Sequence, residues 1–495
     1  MQSLAIAILA VPFAGAVTCL AVRDRASKIV AVIASAITAE LAVILALGAA
    51  NETRLFGSMP WLGMDTGLFG YQFDPLAIIM LLASTLIGLA ITIYSIGYLS
   101  PGNHEHPTRS GQARYYFWLM TFVGSMVGIA ISPTLLQLLI FWEMTTLCSW
   151  ALISFYDNKE SLKAGMKALV MTSFGGLFFL GGLVWVLSAT GSLTFNALGL
   201  MTPQMRAWAF ALFLIAAWAK SAQVPFHTWL PDAMAAPTPI SAYLHAAAMV
   251  KAGVFLTARL LLAGWQLPTG MSLLISIAAL ITMFTALAMY FFQDDLKKLL
   301  AYSTIAQLGY IFLGLGLGAL GATMAFKGAI LHILMHAVAK TLLFLTVGAI
   351  AYATGTRSIS KLSGLAKKMP IAAVAFFVGA FALTGIPPLA CFWSKIYVLL
   401  GALQVPGAFG PIALILILIE SLVSFAWFLW VGQKVFFGKV QQTVPKAAEK
   451  AQKPEPALAG ALDPPPSMDW ILVVLIIACF LAPIAGIPIV QAIMP

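Results

Sequence analysis

Charge is what this 495-residue chain has least of: Asp, Glu, Lys and Arg make up 9% of it, against about 25% in an ordinary soluble domain. With 61% hydrophobic residues and a mean hydropathy of +0.97, a soluble globular enzyme is excluded. Cysteine is scarce too. Cys19, Cys148, Cys391 and Cys479 are scattered through apolar stretches with neither a CxxC pair nor any ligand spacing, so no disulfide, iron–sulfur cluster, zinc site or other cofactor is expected. The net charge of +10 comes without any basic run of the kind that tracks a phosphate backbone, which excludes nucleic acid as a partner. The N-terminus lacks the positive region of a secretory signal, and Arg23, Arg25 and Lys28 follow its apolar run, so a retained first helix is expected.

What is present in quantity is apolar sequence in runs of spanning length, about 20 residues each. Spans centre near Ala10, Ala39, Leu86, Phe122, Glu143, Gly175 and Ile215, then near Met249, Leu280, Ile311, Leu334, Ala382, Leu418 and Leu475. The fold class is therefore an all-α integral membrane protein of about 14 transmembrane helices. Lys and Arg test the count, because they collect in cytoplasmic loops. Of the 27 basic residues, eighteen fall in odd-to-even connections and only Arg54 and Arg206 in even-to-odd ones, with seven inside or at the ends of spans. This places both termini on the non-cytoplasmic side of a cell inner membrane, embedded in the lipid bilayer as a multi-pass chain.

Two spans carry helix breakers inside them, the seventh at Gln223-Val224-Pro225 and the twelfth at Gly385-Ile386-Pro387-Pro388. Backbone freed at membrane depth is tolerated only beside protein or a water-filled cavity, and paired interruptions point to inverted repeats. The organisation expected is helices 1–3 over residues 1–113 and a five-helix repeat over 114–263 (spans 4–8). An inverted repeat over 270–440 (spans 9–13), a Lys/Ala/Pro-rich cytoplasmic linker over 441–467 and a last helix over 468–495 complete it.

A charge at the centre of a span costs about 2.5 to 3.5 kcal/mol on insertion scales, so each one needs a reason. Glu143 lies within Leu138-Leu139-Ile140-Phe141-Trp142 and Met144, and Lys220 follows Ala216-Ala217-Trp218-Ala219. Were the two to meet at about 4 Å, they would attract by roughly 4 kcal/mol at an effective dielectric near 20. His332, His336 and Lys340 recur every fourth residue, which lines one helix face with ionisable groups. A zinc-protease pattern would require Glu at position 333, where Ile333 stands, and Lys340 would repel a cation, so no metal site is expected. Neutral imidazole donates and accepts, which suits a proton relay. His245 and Lys251 in the eighth span and Lys395 just past the second interruption extend the set. Glu40 has no nameable partner, Asp74 reads as a helix N-terminal group, Asp294, Asp295, Lys297 and Lys298 as a solvated loop cluster, and Arg259 and Lys327 as side chains that snorkel.

The stretch Lys220 to Met234, continuing through Ala236-Pro237-Thr238-Pro239-Ile240-Ser241-Ala242-Tyr243-Leu244-His245 and Met249-Val250-Lys251-Ala252-Gly253, resembles the signature of the antiporter-like subunits shared by respiratory complex I, Mrp-type Na+/H+ antiporters and membrane-bound hydrogenases. Leu299 to Gly309 and His332 to Lys340 extend the resemblance, which covers about spans three to thirteen. The resemblance implies that Glu143 and Lys220 form the charge pair of a first half-channel. It also implies that His245, Lys251, His332, His336 and Lys340 belong to a central hydrophilic axis, and that Lys395 ends a second half-channel. Gly175-Gly176 and the wording around His245 to Lys251 resemble the Mrp A-type subunit more than the large complex I subunit, which commonly carries Asp where Gly176 stands. An A-type chain usually continues into further spans and the complex I counterpart into a long lateral helix, and neither follows here. The expectation is a proton-translocating subunit, with or without Na+ exchange, working among other membrane subunits of an Mrp-like, hydrogenase or complex I-like assembly and holding no redox centre of its own. The alternatives are the pumping subunit of a hydrogenase or NADH-quinone oxidoreductase-type complex, or a non-conducting coupling subunit.

Overall fold

A computed structural model describes residues 2–48, 55–59, 67–264, 267–438 and 464–493. Most of the expected linker over 441–467 lies outside these residues, as do Arg54, Lys439, Lys446, Lys450 and Lys453. Seventeen α-helices are present among the described residues. The N-terminal group is α1 (Gln2–Ala21), α2 (Asp24–Gly48) and α3 (Pro75–Tyr98). Next come α4 (Gln112–Ile131), α5 (Leu135–Ile153), α6 (Lys159–Thr190), α7 (Pro203–Lys220), the short α8 (Trp229–Asp232), α9 (Thr238–Ala246) and α10 (Met249–Leu262). The second half holds α11 (Thr269–Tyr290), α12 (Leu296–Ala319), α13 (Thr323–Thr354), α14 (Pro370–Thr384), α15 (Ala390–Ala402) and α16 (Phe409–Phe436), and α17 (Pro466–Gln491) ends the series. A two-stranded hairpin, Leu55–Ser58 with Gly70–Phe73, joins α2 to α3.

Among the described residues, twelve segments are long and apolar enough to cross a membrane, one of them the joined α9–α10 segment Thr238–Leu262. The two expected spans missing from that set are the interrupted ones, α7–α8 and α14–α15, which together with the twelve make up the fourteen. α13 sits at the centre, its apolar stretch wholly buried, whereas α1, α2, α6, α16 and α17 turn most of their surface outward.

Loop-to-loop contacts sort the connections into two ends. At one end the Asp24 carboxylate accepts from the backbone N–H of Gly111 (2.9 Å) and Ala113 (2.8 Å), and Arg114 pairs with Asp157 (2.7 Å). Glu105 pairs there with Arg357 (3.1 Å), and Ser363 donates to the Phe437 carbonyl (3.1 Å). At the other end Thr134 donates to the Leu68 carbonyl (2.9 Å), Gln137 bonds Gly70, and Lys327 reaches the Gln491 carbonyl (3.3 Å). The first end gathers the connections rich in Lys and Arg and is called the basic face below. α4 starts at the basic face and α11 at the opposite one, so the two five-span halves run in opposite senses, as inverted repeats require.

Three spans are broken at depth. α7 stops at Lys220, whose successor Ser221 donates to the Val250 carbonyl (2.7 Å) and so ties this break to the next one. α14 ends where Gly385 takes a φ of 93°, a left-handed conformation that favours glycine, and its N–H caps Phe381 (3.1 Å). A Cβ at Gly385 would also meet the Lys395 side chain at 2.9 Å. The third break, at Ala247-Ala248 between α9 and α10, carries neither glycine nor proline and was not expected.

Two charged positions differ from expectation. Asp74 does cap α3, accepting from the Ala77 N–H (2.9 Å), but its carboxylate also pairs with Arg259, whose side chain is 2% exposed. Arg259 therefore does not snorkel: a bidentate partner inside the fold satisfies it better than a reach to the interface. Lys297 is not solvated either. It is buried and donates to the carbonyls of Met234 (2.8 Å) and Ala236 (2.7 Å), which the turn before α9 leaves free, while Asp295 caps α12. Glu40 lies exposed on the outer face of α2.

Candidate functional site

The breaks bring ionisable side chains into the interior. At the end of α7, the buried Lys220 ammonium donates to the Trp142 carbonyl (2.8 Å) and the Thr146 hydroxyl (2.6 Å), and lies over the Trp142 ring. Glu143, next along α5, instead faces a groove of about 530 Å³ between α5 and α6, lined by Leu139, Val170, Phe174, Gly176 and Leu177. Its Oε1 has no hydrogen-bond partner, and no ion pair joins it to Lys220 among the described residues. Thr146, one turn along α5 from Glu143, accepts from Lys220 and also interacts with the Glu143 carboxyl, so it stands between the two. Gly176 makes the carboxylate's position possible, since a Cβ there would stand 2.0 Å from Oε1.

On the far side of the Ala247-Ala248 break, Lys251 in α10 meets His336 in α13, Nζ to Nδ1 at 3.0 Å, with both groups fully buried. One turn earlier in α13, His332 uses both ring nitrogens, Nδ1 with the Ser394 hydroxyl (2.7 Å) and Nε2 with Gln307 Oε1 (3.0 Å). Its ring stands 5.8 Å from that of His336. Ser394 adjoins Lys395, which lies beyond the Gly385 break and reaches the Thr384 carbonyl (3.4 Å) and the Ser421 hydroxyl (3.0 Å). The line ends on Glu420 of α16, whose Oε2 lies 3.7 Å from Lys395 Nζ and whose Oε1 accepts from Ser424 (2.8 Å).

Lys340 shares the α13 face with the two histidines but turns to α12, where it donates to the Leu300 carbonyl (3.0 Å) and to Ser303. His245 stacks against Phe344 with ring centroids 4.9 Å apart, and neither ring nitrogen has a protein partner. Of the eight residues named from sequence, the structure joins Lys251 to His336 directly, and His332 bonds Ser394, the chain neighbour of Lys395. Glu143, Lys220, His245 and Lys340 stand nearby without touching the others.

Glu420 was missed by the sequence reading. Its signal was the one that singled out Glu143, a lone carboxylate inside an apolar run, here Ile412 to Ile419 followed by Ser421-Leu422-Val423.

The fold agrees with comparisons to known proteins. The family model described as "NADH:quinone oxidoreductase/Mrp antiporter, TM" matches residues 132–424, and that described as "NADH-Ubiquinone oxidoreductase (complex I), chain 5 N-terminus" matches 64–116. The chain is 37% identical over 417 residues to the Na(+)/H(+) antiporter subunit A1 of Staphylococcus haemolyticus, covering 79% of this chain and 51% of the relative. It is 40% identical over 366 residues to the chloroplastic NAD(P)H-quinone oxidoreductase subunit 5 of Brachypodium distachyon, covering 70% and 47%. It thus spans about half the length of these curated relatives. Among solved structures, a chain of the Mrp complex from Dietzia sp. superposes with a TM-score of 0.82 at 29% identity, over 99% of this chain and 51% of that one. A chain of the archaeal membrane-bound sulfane sulfur reductase shares the fold at a TM-score of 0.82 and 23% identity, over 99% and 97%. The chain belongs to the NADH:quinone oxidoreductase/Mrp antiporter family of membrane subunits.

Proposed function

We propose that the chain moves protons through the membrane along the buried line Lys220, Lys251, His336, His332, Lys395 and Glu420, as one subunit of a multi-subunit complex most like the Mrp type. The observation that carries this reading is the direct contact of Lys251 with His336 at 3.0 Å, in a fully buried setting where each group otherwise costs stability. An imidazole takes a proton on one nitrogen and releases one from the other, so His336, with Nε2 unpartnered, is suited to receive from Lys251 and pass toward His332. At the far end, separating Lys395 from Glu420 from their present 3.7 Å would cost roughly 4 kcal/mol at an effective dielectric near 20. Moving one charge through 100 mV takes about 2.3 kcal/mol. Small displacements of the pair are therefore energetically matched to proton transport against a membrane potential.

Lys and Arg gather at one face, which we assign to the cytoplasm. Both termini then lie on the other side of a cell inner membrane. Exchange for Na+ follows from the antiporter relatives and belongs to the same proposal. Proton movement by the purified complex in vesicles, measured with and without sodium inside, tests it. Exchange predicts a flux that rises steeply with internal sodium; flux indifferent to sodium would leave a proton pump without antiport, and no flux at all would overturn the reading.

A further inference from the structure

The line above has no described connection to water at the basic face, yet one polar assembly outside it is built for that task. A depression of about 420 Å³ opens there, lined by Glu105, His106, Asp294, Asp295, Thr356 and Arg357. Glu105 forms its inner wall with a side chain only 9% exposed. Asn103 fixes the loop, its Oδ1 accepting from the backbone N–H of Glu105 (2.9 Å) and His106 (3.1 Å) while its amide donates to the Tyr98 carbonyl (3.1 Å). One Glu105 oxygen faces Arg357 (3.1 Å), and the other accepts from the Tyr98 hydroxyl (3.2 Å). That hydroxyl also bonds the Thr238 hydroxyl (3.1 Å), and both are buried. Thr238 opens α9, and His245 follows seven residues on, about 10 Å deeper along the helix.

From this geometry we infer that Glu105, Tyr98 and Thr238 form the port through which protons from the basic face reach the buried line, with His245 as the first receiver inside. The inference rests on the proposed proton-conducting reading. The carboxylate takes a proton from water in the depression. Tyr98 and Thr238 each accept one proton and give up another, so a proton arrives at the inner end while no hydroxyl is left ionised. Water along α9 has to carry it the remaining distance of about 10 Å to His245, whose two ring nitrogens are both without protein partners and offer a lone pair to accept it. The surrounding charges fit a port and not a trap. Arg357 also bonds Asp295 (3.3 Å) and the Met234 carbonyl (3.2 Å), and Lys297 holds the carbonyls of Met234 and Ala236, so the turn leading into α9 is pinned by two cations beside the relay. His106 stacks on Tyr156 with ring centroids 4.3 Å apart, and that burial lowers its pKa from the ordinary histidine value, which leaves Arg357 as the fixed cation facing Glu105.

The test uses the purified complex in vesicles, with a pH-sensitive dye reporting proton movement. Tyr98→Phe removes only the hydroxyl, and Glu105→Gln only the ionisable group. Each is expected to slow transport about a hundredfold, the lower range of what a positioned proton-transfer group supplies, in a complex that assembles normally. Glu105→Asp keeps a carboxylate and restores most of the rate. The Glu105→Gln deficit shrinks as pH on the basic face is lowered, because supply of protons then limits less; a merely loosened loop would show no such pH dependence. Parental rates in Tyr98→Phe and Glu105→Gln beside a dead Lys251→Met would overturn the port and leave the conducting line intact. A parental rate in Lys251→Met as well would overturn both.

Discussion

Lys251→Met is expected to abolish proton movement while leaving the complex assembled. Methionine is close to lysine in length and suits a site already walled by apolar side chains, so the fold loses little. What disappears is the group in contact with His336 Nδ1, the only step at which the first half of the chain touches the central helix through two ionisable side chains among the described residues. Positioned proton-transfer groups contribute about a hundredfold or more to rate. Flux in vesicles should therefore drop below about one hundredth of the parental value, with normal subunit content in the purified complex. Parental flux would show that the contact is idle.

The second large effect separates stability from transport at the far end of the line. Lys395 and Glu420 are both buried, so Glu420→Ala leaves an ammonium inside the fold without its carboxylate. Removing one partner of a buried pair typically costs about 3 to 5 kcal/mol, whereas replacing both by apolar residues of similar volume is often neutral. Thermal unfolding of the purified complex should accordingly show Glu420→Ala strongly destabilised. The double variant Lys395→Met/Glu420→Leu should recover most of the loss, with a coupling between the sites of about 0.5 to 3 kcal/mol. Proton flux should remain absent in both. Recovery of flux along with stability in the double variant would make the pair structural.

How far the sequence reached depends on the range of the interaction. Span number, the inverted order of the two halves and the interruptions at Pro225 and Gly385-Pro388 follow from hydropathy, Lys/Arg placement and helix breakers, which are local signals. The break at Ala247-Ala248 was hidden because alanine favours helix and the stretch carries no glycine or proline to signal it. The pairing of Asp74 with Arg259 spans 185 positions, and that of Lys251 with His336 spans 85. No periodicity reports such distances, so Arg259 read as a snorkelling side chain and Lys251 as one member of an unordered set. Lys297 read as a loop charge because the carbonyls that hold it come from a turn 61 and 63 residues away. The placement of the Glu143 carboxylate, lining the α5–α6 groove, depends on the absent side chain at Gly176, a steric fact visible only in three dimensions.

The central claim is that protons pass between these buried groups, and a high-resolution density map of the complex in lipid tests it most directly. The account predicts ordered water joining Lys220 to Lys251, His245 to Lys340, and His336 to His332, where protein atoms alone do not complete the path. Closely packed apolar side chains filling those three gaps, with no density for water, would contradict it.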